Sequence, residues 1–493
     1  MMLHRSYLLA IGSALVIAGC KVGPNYQGAP KVAPNATQAS TFTRAPQGVT
    51  STAPVVAKWW EALGDPELNQ LIGTALEHSP DIRAAQARLR ASRAGLRQQQ
   101  RNRLPKVSGS AAYLRADIPG ISLGNSSSGN GSSGNNSSSS SAHTLSVDVY
   151  NIGFDATWEA DLFGGTRRAI EAASAEAAAV NADLADTHVQ LSAEIAQAYV
   201  DLRDEQQRLA LIRKSADLEE QILTLTQQRR AQGVASDLDV ERIRTQVENT
   251  KQTLIPLDAQ ISESLDQLAV LTGKEPGALD AELTGASPLP RLPETVAIGD
   301  PGALLKQRPD IRAAEWRLVS SNAQIGEHEA EWFPKLTLLG DLGFSSTTPG
   351  HLLRSNNFLW VGAPLLQWNG LDFGRTKAKV DQARAGFQEQ SAKYASTVLG
   401  ALRDANVALS RYGHQRDNVV SLRNVEESAT HAAVLTQQRY RAGTTSALDW
   451  LDAERTRFSA EQNRIAGDAE LIKDYVALQK SLGLGWQPPA GGA

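Results

Sequence analysis

Sulfur is nearly missing from this chain, which has one cysteine, Cys20, and two methionines in 493 residues. A lone cysteine excludes a disulfide within the chain and a thiolate metal cage. Aromatic residues make up only 5% of the sequence, while Ala, Gln, Arg, Leu and Glu fill long stretches. That bias favours long helices and coiled-coil packing over a conventional core. Neither sign of charge is in excess: 49 basic against 53 acidic residues leave a formal charge of −4, with no basic footprint for nucleic acid. The eight histidines show no metal-ligand spacing, and His328-Glu329-Ala330-Glu331 lacks the second histidine of a zincin helix. No phosphate loop or dinucleotide fingerprint is present, and acid pairs such as Asp201 and Asp204 read as helix surface. No enzyme, metal or cofactor is therefore expected. After the first residues no run of about 18 apolar residues occurs, so any crossing of a bilayer falls to β-strands.

The first positive signal is at the N-terminus. His4 and Arg5 precede an apolar run from Tyr7 to Ala18, which ends at Ile17-Ala18-Gly19-Cys20. The run is too short to span a membrane and has the order of an export signal. With the cysteine directly behind small residues, it resembles the bacterial lipobox, which implies a signal peptide over 1–19 and a covalent lipid on Cys20. Lys21 follows instead of Asp, which in such lipoproteins favours the outer membrane.

The chain also repeats itself. Pro80-Asp81-Ile82-Arg83-Ala84-Ala85 recurs at Pro309-Asp310-Ile311-Arg312-Ala313-Ala314, an offset of 229, and Leu104-Pro105-Lys106 recurs as Phe333-Pro334-Lys335 at the same offset. Leu225-Thr226-Gln227-Gln228-Arg229 recurs at Leu435-Thr436-Gln437-Gln438-Arg439, an offset of 210, as do Phe163-Gly164 at Phe373-Gly374 and Gly233 at Gly443. The first half thus carries 19 extra residues between Pro105 and Phe163, where a Ser/Gly/Asn tract runs from Ser122 to Ser141. Such a tract buries no core and reads as a flexible loop.

Each half follows one plan. A helix over about 80–103 leads into strands over 106–114 and 144–159, then a helix over 166–231, a break at Gly233 and a returning helix over 236–271. The second half repeats this with a helix over 309–332, strands 335–345 and 357–367, a helix 374–441, a break at Gly443 and a helix 446–481. Leu184, Leu191, Ile195, Ala198, Leu202, Leu209 and Ile212 recur at helical steps, as do Phe387, Tyr394, Val398, Leu402, Ala405, Leu409 and Tyr412. Stepping sustained over this length predicts coiled-coil packing, and a helix of about 65 residues reaches roughly 100 Å. Pro256 predicts a kink or break in the first returning helix.

In the strands Leu336, Leu338, Leu342 and Phe344 share one face, opposite Thr337, Asp341 and Ser345. Leu145, Val147 and Val149 alternate with Ser146 and Asp148, but past Asn151 and Gly153 the apolar phase moves to Phe154, Ala156 and Trp158, which suggests a bulge. With Tyr150, Trp158, Phe344, Trp360 and Trp368 towards strand ends, the pattern suits a membrane barrel with aromatic girdles; it equally suits a half-buried soluble hairpin. Four strands cannot close a barrel, and open edges cannot face lipid. If the strands lie in a membrane, copies must share one barrel: two would fill its interior with side chains, and three would leave a lumen.

These features coincide with a family. Cys20-Lys21-Val22-Gly23-Pro24-Asn25-Tyr26, the Trp59-Trp60 pair, Gly64-Asp65-Pro66-Glu67-Leu68, Arg308-Pro309-Asp310-Ile311-Arg312-Ala313-Ala314-Glu315, Phe333-Pro334-Lys335-Leu336 and Phe373-Gly374-Arg375 stand in order along the mature chain. Together with the duplication they closely resemble the outer-membrane efflux (TolC-like) family, in its NodT-type lipoprotein branch serving resistance-nodulation-division (RND) multidrug pumps. The resemblance implies an α+β membrane protein: a homotrimer whose twelve-stranded β-barrel, four strands per chain, continues into a long α-helical coiled-coil periplasmic barrel with a small mixed equatorial domain. On this plan 1–19 is the signal peptide, 20–63 a lipidated segment around the equatorial girdle, 64–285 the first repeat, 286–486 the second and 487–493 a tail. The implied function is a gated outer-membrane conduit exporting small molecules, with a periplasmic membrane-fusion adaptor, an inner-membrane RND pump and outer-membrane lipid as partners. The Ser/Gly/Asn tract departs from the family and is placed outside the cell.

Control is expected just past Gly443. Leu448, Asp449 and Asp452 lie within about one turn, where threefold symmetry makes rings of acids; a solvated helix face with ordinary charge pairs is the other reading. The resemblance makes Leu448-Asp449-Trp450-Leu451-Asp452-Ala453-Glu454-Arg455 the periplasmic aperture, with Leu448 and Asp452 at the closed iris and Arg455 in latching ion pairs. Arg242 stands in the first repeat where the offset puts the counterpart of Asp452, so the halves differ there. The turns at Gly233 and Gly443 are expected to dock adaptor tips. A protein-secretion outlet and a non-channel periplasmic coiled-coil lipoprotein are the alternatives.

Overall fold

The computed structural model describes residues 21–46, 48, 50–51, 56–118 and 145–486. Cys20 with the rest of the signal, the Ser/Gly/Asn tract and the tail lie outside the described residues. Contacts divide the chain into two units, and each repeat contributes to both.

The first unit comprises Ala94–Ser174 and Val319–Phe387, with the described residues up to Tyr26. Its centre is one antiparallel sheet of four strands in the order Lys106–Ile118, Leu145–Ala160, Lys335–Ser346 and Phe358–Gln367. The duplication extends to the register. Lys106 pairs with Thr157 in the first hairpin, and their counterparts at the offsets of 229 and 210, Lys335 and Gln367, pair in the second.

The ladders run without interruption, so the expected bulge at Gly153 is absent. The phase change has another cause. On an unbroken strand Ile152, Phe154, Ala156 and Trp158 share a face with Tyr150, Asp148 and Ser146. That face is apolar up to Tyr113 and Tyr150, whose rings stack at 4.8 Å, and polar beyond, with Arg115, Asp117, Ser146 and Asp148. Behind the polar end lie Leu114, Ala116, Val147 and Val149. The apolar band simply ends at the tyrosine pair. Across the second hairpin the same face carries Leu336, Leu338, Leu342, Phe344, Phe358, Trp360, Pro364 and Leu366. At the other end of the strands, Trp158 donates its indole N–H to the Arg103 carbonyl at 2.8 Å and Trp368 donates to that of Trp332 at 3.0 Å.

The second unit, Gln27–Arg93, Ala175–Leu318 and Gln388 onwards, is helical. The helices that enter it, Gly165–Ala231 and Arg375–Arg441, are 67 residues each, and the returning helices Asp237–Leu271 and Ala447–Ser481 are 35 each. The expected spacing forms the core: Leu191, Ile195, Ala198 and Leu202 pack with Val398, Leu402, Ala405, Leu409 and Tyr412. Trp59 and Trp60 are buried in the same cluster, Trp59 edge-on to Tyr475. The helix Asp237–Leu271 continues through Pro256, and the expected break does not occur. Gln252, whose carbonyl loses its helical donor, is exposed, so water can take that bond.

Two short parallel strands, Thr50–Ser51 and Val296–Ala297, tie the N-terminal segment to this unit. The Gly64-to-Leu68 motif is held by buried polar groups. Tyr199 donates its hydroxyl to Asp65 at 2.8 Å, while Arg203, 0% exposed, bonds Glu67, Gln206 at 2.7 Å and the Gly285 carbonyl at 2.8 Å.

Candidate functional site

Both helix-to-helix turns are built from one motif. Gly233 and Gly443 adopt left-handed φ angles of 74° and 75°, which glycine takes without penalty. Each ends its helix in a paired Schellman closure, with Gly233 N–H donating to the Arg230 carbonyl and Val234 to Arg229, and Gly443 to Tyr440 and Thr444 to Arg439. Three residues later Ser236 and Ser446 start the returning helices with capping boxes closed by Asp239 and Asp449. Asp449 Oδ2 accepts from Ser446 N at 3.0 Å, from Ser446 Oγ at 2.7 Å and from Thr445 Oγ1 at 2.7 Å. Those bonds, led by the serine hydroxyl, hold its carboxyl below the usual range. Asp449 therefore serves as a helix cap in the single chain. The pattern Ser446-x-x-Asp449 carried that signal in the sequence.

Asp452 and Arg455 are brought together at 3.1 Å, both exposed. Leu448 is half-buried against a small cluster of Ile222, Ile243, Tyr440, Ala447, Trp450 and Leu451. The Tyr440 and Trp450 rings stack at 5.1 Å, Arg229 lies 4.6 Å over Tyr440, and the Trp450 indole donates to Glu454 at 3.3 Å. Sequence reasoning passed over Tyr440 and named Trp450 and Glu454 within the aperture stretch without giving them a role, although aromatics this scarce were a usable signal. The Arg455 side chain also lines a cavity of about 250 Å³ with Ser215, Glu219, Gln246 and Thr250. Burial pushes the Glu219 carboxyl up, against hydrogen bonds from Thr250 and Gln246 and the nearby charge of Arg455. The two turns differ in surface: Val234 and Leu238 are exposed at the first, whereas their counterparts at the second are Thr444 and the half-buried Leu448.

A second constellation follows Cys20, in the first unit. Lys21 pairs with Glu171 at 2.5 Å, and Val22 N–H donates to the Phe163 carbonyl at 3.2 Å. Arg168, 0% exposed, donates to the carbonyls of Val22 at 3.0 Å and Gly23 at 2.8 Å and to Asn25 Oδ1 at 3.0 Å. Asn322 donates to the Pro24 carbonyl at 3.0 Å. An added Cβ at Gly23 would lie 2.3 Å from the Gly326 Cα, so this approach admits no side chain. The residue after the cysteine is thereby fixed at the junction of strand and long helix.

Comparison with known proteins agrees with this architecture. The family model described as outer membrane efflux protein matches residues 71–274 and 301–484, one segment in each repeat. The antibiotic efflux pump outer membrane protein ArpC of Pseudomonas putida is 31% identical, covering 99% of this chain and 97% of its own. Nodulation protein T of Rhizobium leguminosarum bv. trifolii is 30% identical over 97% of both. The solved structure of the outer-membrane channel OprN superposes with a TM-score of 0.85 at 34% identity, covering 95% of this chain and 100% of that one.

Proposed function

The chain belongs to the outer membrane efflux protein family, and on that footing we propose that three copies close into one lipid-anchored channel that passes small molecules from an inner-membrane RND pump to the exterior. One observation carries the assembly. The four-stranded sheet has a wholly apolar face up to the Tyr113–Tyr150 pair and two edges, Lys106–Ile118 and Phe358–Gln367, that have no partner strand among the described residues. Such edges cannot meet lipid, and four strands are too few to close. Three copies give a barrel wide enough for a lumen. Export of small molecules is supported by the relatives, ArpC being an antibiotic efflux protein by name. The clamp on Lys21 to Asn25 supports a lipid on Cys20, because it fixes the next residue at the base of the strands.

In this reading Leu448, Asp452 and Arg455 form the periplasmic gate, with Asp449 holding the turn beneath them. The turns at Gly233 and Gly443 receive a periplasmic adaptor, for which exposed Val234 and Leu238 offer an apolar contact. Planar-bilayer recording tests the channel and the gate together. An exposed ion pair contributes about 0–1 kcal/mol, about fivefold at most, and Asp452→Ala or Arg455→Ala removes three of them at once, so either should raise open probability. Absence of conductance steps from the purified chain would overturn the channel. Open probability untouched by both substitutions would overturn the gate.

A further inference from the structure

The cavity that Arg455 borders holds a carboxylate for which the chain provides no cation. It lies in the helical unit between the helices Gly165–Ala231, Asp237–Leu271 and Ala447–Ser481, with a volume of about 250 Å³. Glu219 lines it from the first of these helices and is 2% exposed. Ser215, Gln246 and Thr250 stand around its carboxyl, and the Ser215 hydroxyl donates to Oε1 at 3.4 Å. Oε2 is buried as well and has no hydrogen-bond partner among the described residues. Nor does Glu219 form an ion pair among them, since Arg455 gives its guanidinium to the exposed Asp452 at 3.1 Å.

A carboxylate taken out of water is costly until a cation and a donor reach it. Protonation alone does not complete the site, because a hydroxyl at Oε2 would still lack an acceptor from the chain.

We propose that this cavity binds a small primary ammonium ion with a short alkyl chain, its nitrogen on Glu219 Oε2. Three features select that class. An ammonium group brings positive charge and three donors on one atom, which Oε2 and the hydroxyls of Ser215 and Thr250 can share. Leu211, Ile212 and Phe458 add apolar lining, which suits an alkyl chain better than a hydrated inorganic ion. The volume equals that of roughly eight waters at about 30 Å³ each, room for a chain of about four carbons. A metal ion does not fit, since no group of three His, Cys, Asp or Glu side chains among the described residues could hold one. The bound ion joins the two repeats: Glu219 and Thr250 belong to the first, Arg455 and Phe458 to the second. Its binding therefore restrains local opening of all three helices.

Amide hydrogen exchange on the full chain in mild detergent tests the site, with n-butylammonium chloride titrated at constant ionic strength. Exchange over 215–219, 246–253 and 455–462 should slow in a saturable way. Potassium chloride, and tetramethylammonium chloride, whose cation has no N–H donor, should leave it unchanged. Glu219→Gln keeps the shape and removes the charge, so it should raise the half-saturating butylammonium concentration by about tenfold or more. Half-saturation at the parental concentration in Glu219→Gln would overturn the site. So would equal slowing by potassium or tetramethylammonium, or no slowing by butylammonium in the parent chain. These last outcomes are read on the parent alone and do not depend on how the variant folds. None depends on the number of copies in the channel, so the site and the trimeric channel stand or fall separately.

Discussion

Arg168 and Arg203 are both fully buried in one long helix, and both spend their guanidinium groups on other parts of the chain. Arg203 secures the turn at Glu67 and Gly285; Arg168 secures the segment after Cys20. A guanidinium suits this task because it offers five donors in a rigid fork and stays charged. Replacing Arg168 by Met keeps a long side chain but strips the Val22 and Gly23 carbonyls of their donor. Each buried acceptor left unpaired costs about 1–3 kcal/mol. Arg168→Met should therefore speed amide hydrogen exchange at Val22 by roughly tenfold or more, since 1.4 kcal/mol is a factor of ten. Unchanged exchange at Val22 would mean that the segment is held by other contacts. Neither arginine was legible beforehand. In a helix rich in Arg, Glu and Gln, a buried charge and a solvated one have the same sequence signature, and only the approach of a distant segment tells them apart.

At the scale of elements the sequence was legible wherever a period or a break repeats. Every strand and long helix lies within a few residues of its expected bounds, because alternation and three/four stepping are direct consequences of side-chain geometry. The bulge at Gly153 failed for a definite reason: a change of apolar phase can mark a change of solvent along an unbroken strand as well as a kink. The proposed gate was legible only as a location. Asp449 and Asp452 looked alike as acids near a turn, yet one closes a capping box and the other faces solvent beside Arg455. The turn motif itself makes a matched prediction. Nothing lies within 4 Å of a Cβ added at Gly233 or Gly443, so alanine there meets only the cost of left-handed φ, about 1–2 kcal/mol. Gly233→Ala and Gly443→Ala should lower thermal stability by similar amounts. A marked inequality between them would show that the two closures are not equivalent in the assembled protein.

For the whole molecule, the duplication and the spatial division answer different demands: each repeat carries strands between its helices, so both units are assembled from both halves. The helical unit also gathers acids whose carboxyls burial pushes up, among them Asp186, Asp204, Glu205, Glu219 and Asp474. Asp474 is the extreme. Burial, with the charge of Glu470 beside it, lifts its carboxyl from 3.8 to about 6 against the opposing pull of Arg411 and Lys473. The folded chain then keeps a proton that the unfolded chain gives up between about pH 4 and 6, so the slope of stability against pH is negative there. Stability from this group is full below the unfolded value and is lost as pH rises through about 6. A shift of this size corresponds to about 3 kcal/mol. The caps at Asp239 and Asp449, held below their ordinary value of 3.8, give the opposite slope only in stronger acid, so the windows separate. The urea midpoint should accordingly be higher at pH 4.5 than at pH 7.5, and Asp474→Asn, neutral at every pH, should flatten the difference while raising the midpoint at pH 7.5. A parent midpoint that rises with pH, or a difference that persists in Asp474→Asn, would place the dominant proton linkage elsewhere in the helical unit.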